Sequence, residues 1–221
     1  MKKHHFSATL FGRQTAQLLF APFLVLFLLS AGVGCGAEAP SPAGTIREGD
    51  IIFQTTRSPQ SLAITIATKS EYTHCGVILE KDGRLQVFEA IRKVGWTPLE
   101  DWVKRGVNQH YVLMRLKKPI GPEAVAIMRE SASAFAGKDY DLLFQWSDDK
   151  IYCSELVWKL YRKAGVELCE PRAFRDFDLN HDEVRKIVRQ RYGRELPPLD
   201  EPVVAPSDLM RCDLLEVVAK N

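Results

Sequence analysis

The sequence lacks any long apolar run. The longest is Leu18 to Leu29, twelve residues, too short for a typical transmembrane helix. It also lacks a basic excess: 30 Lys and Arg stand against 28 Asp and Glu, with no basic stripe. A nucleic-acid partner and electrostatic attachment to a membrane are therefore both unsupported. Cysteine is scarce. The five at positions 35, 75, 153, 169 and 212 are too few to build a disulfide scaffold of 221 residues, and buried free thiols are the expectation. His-Glu-x-x-His, paired cysteines at zinc spacing and a glycine-rich phosphate loop are missing as well. Asp178-x-Asn180-x-Asp182 opens like a calcium loop, but its sixth position is Glu183 and its twelfth Arg189, which breaks the pattern. No metal and no cofactor are expected, and no internal repeat is visible.

What is present begins with an address. Met1 to Gln17 carries Lys2, Lys3 and Arg13 without an acid; the apolar run follows, then Ser30-Ala31-Gly32-Val33-Gly34. This reads as an export signal over residues 1–34. Cleavage before Cys35 resembles processing of a bacterial lipoprotein, in which that thiol is lipidated, although Gly32 stands where such signals usually have leucine. Gly36, in place of aspartate, favours the outer membrane. Plain secretion, leaving a periplasmic or secreted protein, is the alternative. Residues 35–45 then form the anchor cysteine and tether, and 46–221 one folded domain. Without residues 1–34, three basic residues are lost and no acidic one, leaving 27 against 28 and a charge near −1.

Within the domain, Ile51 to Gln54 is a short strand and Ser58-Pro59 caps a helix reaching about Lys69. His74 to Leu79 and Leu85 to Ala90 form a hairpin about Lys81-Asp82-Gly83. Thr97-Pro98 caps a short helix through Val103. His110 to Leu116 alternates as a strand, Gly121-Pro122 opens a helix to about Ala136, and Gly137 to Asp141 is a loop. Apolar residues at Leu156, Val157, Leu160 and Tyr161 give a helix from Cys153 to Ala164, stopped by Gly165. Glu183 to Tyr192 is a charged surface helix, and Leu214 to Val218 a closing strand. Strands ahead of helices point to an α+β fold.

Cys153 heads its helix, where unpaired N–H groups and the macrodipole favour a thiolate. A nucleophilic cysteine needs an imidazole. His4 and His5 leave with the signal, while His110 and His181 read as structural or solvated. His74, at a strand start, remains; the hairpin brings it opposite position 90 or 91, with Glu89 near if the register slips or a bulge intervenes. Glu155, in the first turn of the cysteine helix, reads as a solvent-facing acid suited to the dipole.

Gly49-Asp50-Ile51-Ile52-Phe53, Tyr72-Thr73-His74-Cys75-Gly76-Val77, Val87-Phe88-Glu89-Ala90 and Tyr152-Cys153-Ser154-Glu155-Leu156-Val157 resemble, in order, the blocks of the permuted NlpC-type papain-like cysteine hydrolases, the YiiX/YebB-like group. The resemblance implies a circularly permuted papain-like fold, an antiparallel sheet packed on helices, with histidine ahead of cysteine. It implies Cys153 as nucleophile, His74 as base, Glu89 as the group fixing the ring, and Tyr140 as an oxyanion or substrate contact. It implies amidase or peptidase chemistry through an acyl-enzyme, with cell-wall peptide one substrate. A lipid-directed acyl hydrolase or acyltransferase, as in the lecithin:retinol acyltransferase-like proteins, and a non-catalytic lipid-anchored binding module are the alternatives.

Overall fold

The computed structural model describes residues 46–221; the export signal, Cys35 and the tether lie outside them. In chain order the elements are β1 (Ile51–Gln54), α1 (Pro59–Thr68), β2 (His74–Lys81), β3 (Arg84–Ala90), β4 (Val94–Pro98), α2 (Leu99–Arg105), β5 (Val112–Leu116) and α3 (Pro122–Phe135). There follow β6 (Asp139–Tyr140), β7 (Lys150–Ile151), α4 (Cys153–Lys163), β8 (Arg172–Ala173), α5 (Asp182–Tyr192), β9 (Pro202–Val203), α6 (Pro206–Met210) and β10 (Leu215–Lys220). Six strands form one antiparallel sheet in the order β10-β5-β1-β2-β3-β4. The fold is α+β, an antiparallel sheet packed against helices.

The β2–β3 hairpin forms where the sequence places it, because Asp82 and Gly83 both take positive φ (52° and 74°), the two-residue turn that matches strand twist. Its central strand is buried on both faces, which explains the unbroken apolar run from Cys75 to Leu79. One face, with Phe53, Val77 and Phe88, takes α4 through Leu156, Val157, Leu160 and Tyr161. The other face, with Ile52, Ile78 and Val87, takes Trp102 of α2. A satellite cluster joins α1 to α5 through Ala63, Val184 and Val188. The helix expected to lie on the surface thus buries one face.

The Gly49-Asp50 block is architectural. Gly49 has φ 81°, and the wholly buried Asp50 holds Arg115 of β5 through Nε at 2.6 Å and Nη2 at 2.8 Å. It also accepts the Arg47 N–H at 2.7 Å, so β1, β5 and the entering chain are fixed together. Short strands escape the sequence reading, β8 and β9 among them. Val94–Pro98 is a strand, β4, paired to β3, and the loop at 137–141 contains β6, paired in parallel to β7.

Gly76 has no room for a side chain: a Cβ would fall 2.5 Å from Val87 Cγ1 and 2.9 Å from the Phe88 carbonyl oxygen. Gly76→Ala is expected to lower unfolding stability by about 2 kcal/mol in urea titration, the scale of an overpacked core. Gly95→Ala, with nothing within 4 Å, is expected to stay within about 0.5 kcal/mol of the parent.

Candidate active site

Cys153 is the first residue of α4, following Tyr152 in extended conformation. Two bonds to one residue fix this helix start: the Tyr152 hydroxyl accepts the Val204 N–H at 3.1 Å, and Ser154 Oγ donates to the Val204 carbonyl at 2.7 Å. The thiol is 3% exposed. The β6–β7 pair sets Tyr140 against Ile151, two residues before the cysteine, and so brings a residue thirteen positions earlier in the chain beside the sulfur.

His74 begins β2, and Glu89 lies near the end of β3. The register runs without a slip from Lys81↔Arg84 to Val77↔Phe88, and its continuation puts position 91 opposite His74. Glu89, two residues back, is the diagonal neighbour on the same face, within reach of a long side chain. His74 Nε2 meets Glu89 Oε2 at 2.6 Å, with no bulge required. The ring lies near parallel to Trp102, centroids 6.0 Å apart. The ring and the Cys153 thiol also perturb each other's titration, each favouring the other's charged form.

Glu89 is 1% exposed, yet fully engaged. Besides His74, its Oε1 accepts from Thr97 Oγ1 at 2.5 Å and pairs with Arg105 Nη2. Burial alone would raise its pKa; the bond and charge of His74, then Thr97 and Arg105, outweigh burial and hold it at about 2. Burial likewise works against the His74 imidazolium, but hydrogen bonds to Cys153 and Glu89 together with their charges hold it up at about 9. Cys153 moves the opposite way. A hydrogen bond from the Cys75 thiol contributes most, against burial, and the bond and charge of His74 add to it, so the thiol is well below its usual range. Burial pushes Cys75 itself well up. Both shifts favour a thiolate beside an imidazolium.

Tyr140 completes the group. Its hydroxyl accepts from Gln60 Nε2 at 3.0 Å, while Arg191 Nη2 donates to Gln60 Oε1 at 2.6 Å. Burial first, and the Cys153 charge next, push the Tyr140 phenol well up, so it stays protonated as a donor.

All four residues expected in the domain, Cys153, His74, Glu89 and Tyr140, thus meet in one place, while Cys35 lies outside the described residues. His110 is half-buried and paired to the Asn221 carbonyl, and His181 caps α5 by accepting the Glu183 N–H at 3.2 Å. Sequence reasoning missed Thr97, Arg105, Trp102, Gln60 and Arg191, none of which carries a local signal. Glu155 departs from expectation. It is wholly buried, accepts the Tyr152 N–H at 3.3 Å and pairs with Lys159 at 2.8 Å, one turn along. Burial, opposed by Lys159, pushes its carboxyl up to about 7. The four described cysteines are free.

The ionised pair makes a kinetic difference among thiols. Near pH 7, iodoacetamide is expected to alkylate Cys153 at least about tenfold faster than Cys75 or Cys169, since the thiolate is the nucleophile; Cys169 is pushed by burial up to about 12. His74→Ala should slow Cys153 labelling about tenfold or more, read by peptide mass mapping. Equal rates at the three thiols would refute the ion pair.

Residues 45–219 match the model of a family described as permuted papain-like amidase enzymes, YaeF/YiiX, C92 family. The chain is 39% identical over 197 residues to the uncharacterized protein YiiX of Escherichia coli K12, spanning 89% of this chain and 95% of that one. It is also similar to the crystal structure of metalloprotein yiiX from Escherichia coli O157:H7, with a TM-score of 0.77 and 39% identity, over 80% of this chain and 98% of that one. This finding overturns the expectation of no metal among the partners. That expectation rested on missing local patterns, which do not bear on sites assembled from residues distant in sequence. Among the described residues, no group of three or more His, Cys, Asp or Glu is placed to hold an ion, and no step below is assigned to one. With its histidine strand ahead of its cysteine helix and these matches along nearly the whole domain, the chain belongs to the permuted papain-like amidases of the YaeF/YiiX type, and is a cysteine hydrolase of the amidase or peptidase kind.

Proposed function

We propose that this hydrolase cleaves an amide bond in the cell envelope through a thioester acyl-enzyme, with Cys153 as nucleophile, His74 as proton carrier and Glu89 as the group that orients and charges the ring. The observation that carries the reading is the line from Arg105 and Thr97 through Glu89 to His74, together with the mutual charging of His74 and Cys153. Cys153 Sγ attacks the carbonyl carbon. The oxyanion that forms is met by the protonated Tyr140 hydroxyl and the N–H of Cys153 at the helix start. The imidazolium then gives its proton to the departing nitrogen, and the C–N bond breaks. Water, deprotonated by the now neutral His74, attacks the thioester and releases the acid. Gln60 and Arg191 hold Tyr140 in place; they are positioning residues.

The envelope location rests on the reading of residues 1–34 as an export signal and of Cys35 as a lipidated cysteine. Cys35→Ser is expected to move the protein from the membrane fraction to the soluble fraction and to abolish incorporation of labelled palmitate. Retention in the membrane would remove the anchor. Cell-wall peptide and lipid acyl group are the two substrate classes that the sequence leaves open.

Hydrolysis of a simple N-acyl p-nitroanilide tests the chemistry. Cys153→Ala is expected to lose about 10³-fold or more in kcat/KM, and Tyr140→Phe about 10²-fold, the scale of one oxyanion donor. Turnover should fall as pH rises through about 9, where His74 loses the proton it donates, while alkylation of Cys153 continues above that pH. Because Glu89 helps to hold the imidazolium charged, Glu89→Gln should shift that fall to lower pH as well as reduce the rate. A pH profile that Glu89→Gln leaves unchanged would remove Glu89 from the mechanism.

A further inference from the structure

Residues 141–149 join the strand that carries Tyr140 to the strand that leads into Cys153. The ladder between those strands is parallel and two pairs long, Asp139↔Lys150 and Tyr140↔Ile151, too short to fix by itself where the phenol stands. The segment is held from outside. From α5, Arg191 Nη1 donates to the Leu142 carbonyl at 3.0 Å and the Tyr192 hydroxyl to that of Leu143, while Glu201 Oε1 accepts the Trp146 N–H at 2.6 Å. The grip from the cysteine helix is Lys159. Its Nζ donates to the Ser147 carbonyl at 2.5 Å and to Asp148 Oδ1 at 2.7 Å, and pairs with Glu155 Oε1 at 2.8 Å. An ammonium has three N–H donors, and here each has an oxygen. The Lys159 side chain is 12% exposed and that of Glu155 wholly buried, so these oxygens replace the water that the charge has lost. Lys159 also lies over the Trp146 ring, whose edge meets Trp158 of the same helix with centroids 5.0 Å apart.

Glu155 carries this grip back to the nucleophile. Its Oε2 accepts the N–H of Tyr152, the residue before Cys153, at 3.3 Å. A line of polar contacts thus runs from the cap of α4 through Glu155 and Lys159 to Ser147 and Asp148. Lys159 stands six positions beyond Cys153, about 9 Å along the helix, and so does not touch the reacting atoms. We infer that Lys159, with Glu155 as its counter-charge, is a positioning residue of the amidase reaction: it clasps segment 141–149 onto the cysteine helix and thereby sets the Tyr140 hydroxyl relative to the sulfur. The inference rests on the amide-hydrolase reading and on Tyr140 as its oxyanion donor. Apolar side chains of the same size would fill this space without losing hydration. What the charge adds is direction, because an ammonium bound by three oxygens fixes the place of each. An oxyanion donor helps only where it already stands when charge develops, and a displacement of about 1 Å costs on the order of 10²-fold in rate. Gln60 holds the same hydroxyl from α1, so the phenol is fixed from two sides.

Replacing Lys159 alone would strand a buried carboxylate. The test therefore uses full-length protein carrying Glu155→Gln and Lys159→Met together, assayed on an N-acyl p-nitroanilide. The kcat is expected to fall about tenfold while KM stays within about twofold. Alkylation of Cys153 by iodoacetamide should also stay within about twofold of the parent, since His74 and Glu89 are untouched. In a Tyr140→Phe background the same pair of substitutions should change kcat by less than about twofold, because the donor it positions is already gone. Independently of turnover, peptides covering residues 142–146 should exchange their amide hydrogens about tenfold faster, while those of the β2–β3 hairpin keep the parent rate. Asp148→Ala, at a side chain 64% exposed, should give the same pattern at about threefold in kcat, and it decides the matter if melting curves show that the paired variant is unfolded. Parent-like kcat, a loss that persists in full in the Tyr140→Phe background, or alkylation slowed in step with turnover would each overturn the inference and leave the amidase standing. If the parent protein cleaves no amide, the amidase reading falls, and exchange over 142–146 alone decides the clasp, with parent-like rates there overturning it.

Discussion

A carboxylate stripped of water survives only where the protein replaces that water, and Glu89 is where this molecule does so most completely. Its two oxygens receive an imidazole, a hydroxyl and a guanidinium. These come from β2, β4 and α2, so one side chain on β3 ties three neighbouring elements to itself. Removing any donor would leave buried charge uncompensated, which costs several kcal/mol. The same negative charge, with the Cys153 sulfur, favours the His74 imidazolium, which together with the Cys75 thiol favours ionised Cys153. Stability and reactivity thus share one anchor. Asp50 with Arg115 performs the purely architectural version of this role on the other half of the sheet, between β1 and β5.

Where the sequence was legible, a local rule agreed with the tertiary structure. Asp82-Gly83 demanded its turn, and the apolar face of α4 showed at helical spacing. The cysteine at the head of α4 was readable as a candidate thiolate from position alone, but its partnership with His74 and Glu89 came from resemblance to a family. The geometry adds that the two strand residues meet diagonally, which pairing rules written for directly opposed positions do not foresee. Thr97 and Arg105 were illegible because they act at a distance: β4 is five residues long with a glycine and a proline, and its only function visible in sequence was to precede a helix. Glu155 shows a related failure. Its i,i+4 partner Lys159 could be counted, but nothing in the spacing said that loop 141–151 would cover the pair and make it interior.

Permutation leaves the constellation intact because each participant is fixed by a contact that ignores chain order. The hairpin places His74 and Glu89; Val204 pins the head of α4; the short parallel pair β6–β7 delivers Tyr140. Tyr140 then partitions the space in front of the sulfur, with hydroxyl-rich walls toward the imidazole and aliphatic walls between α1 and α5. The aliphatic side draws on α5, a helix whose charged sequence suggested only a solvated exterior but whose valines face inward.

Having the base 79 residues ahead of the nucleophile also sets a schedule for synthesis. As the chain leaves the ribosome, the β2–β3 hairpin can close early from local contacts, carrying His74 and Glu89 already paired. The thiol emerges later, and the sheet still waits for β10, the last strand, to cover the edge of β5. A chain extended only through β3 carries both members of the acid–imidazole couple and not the nucleophile, which follows 79 residues after His74.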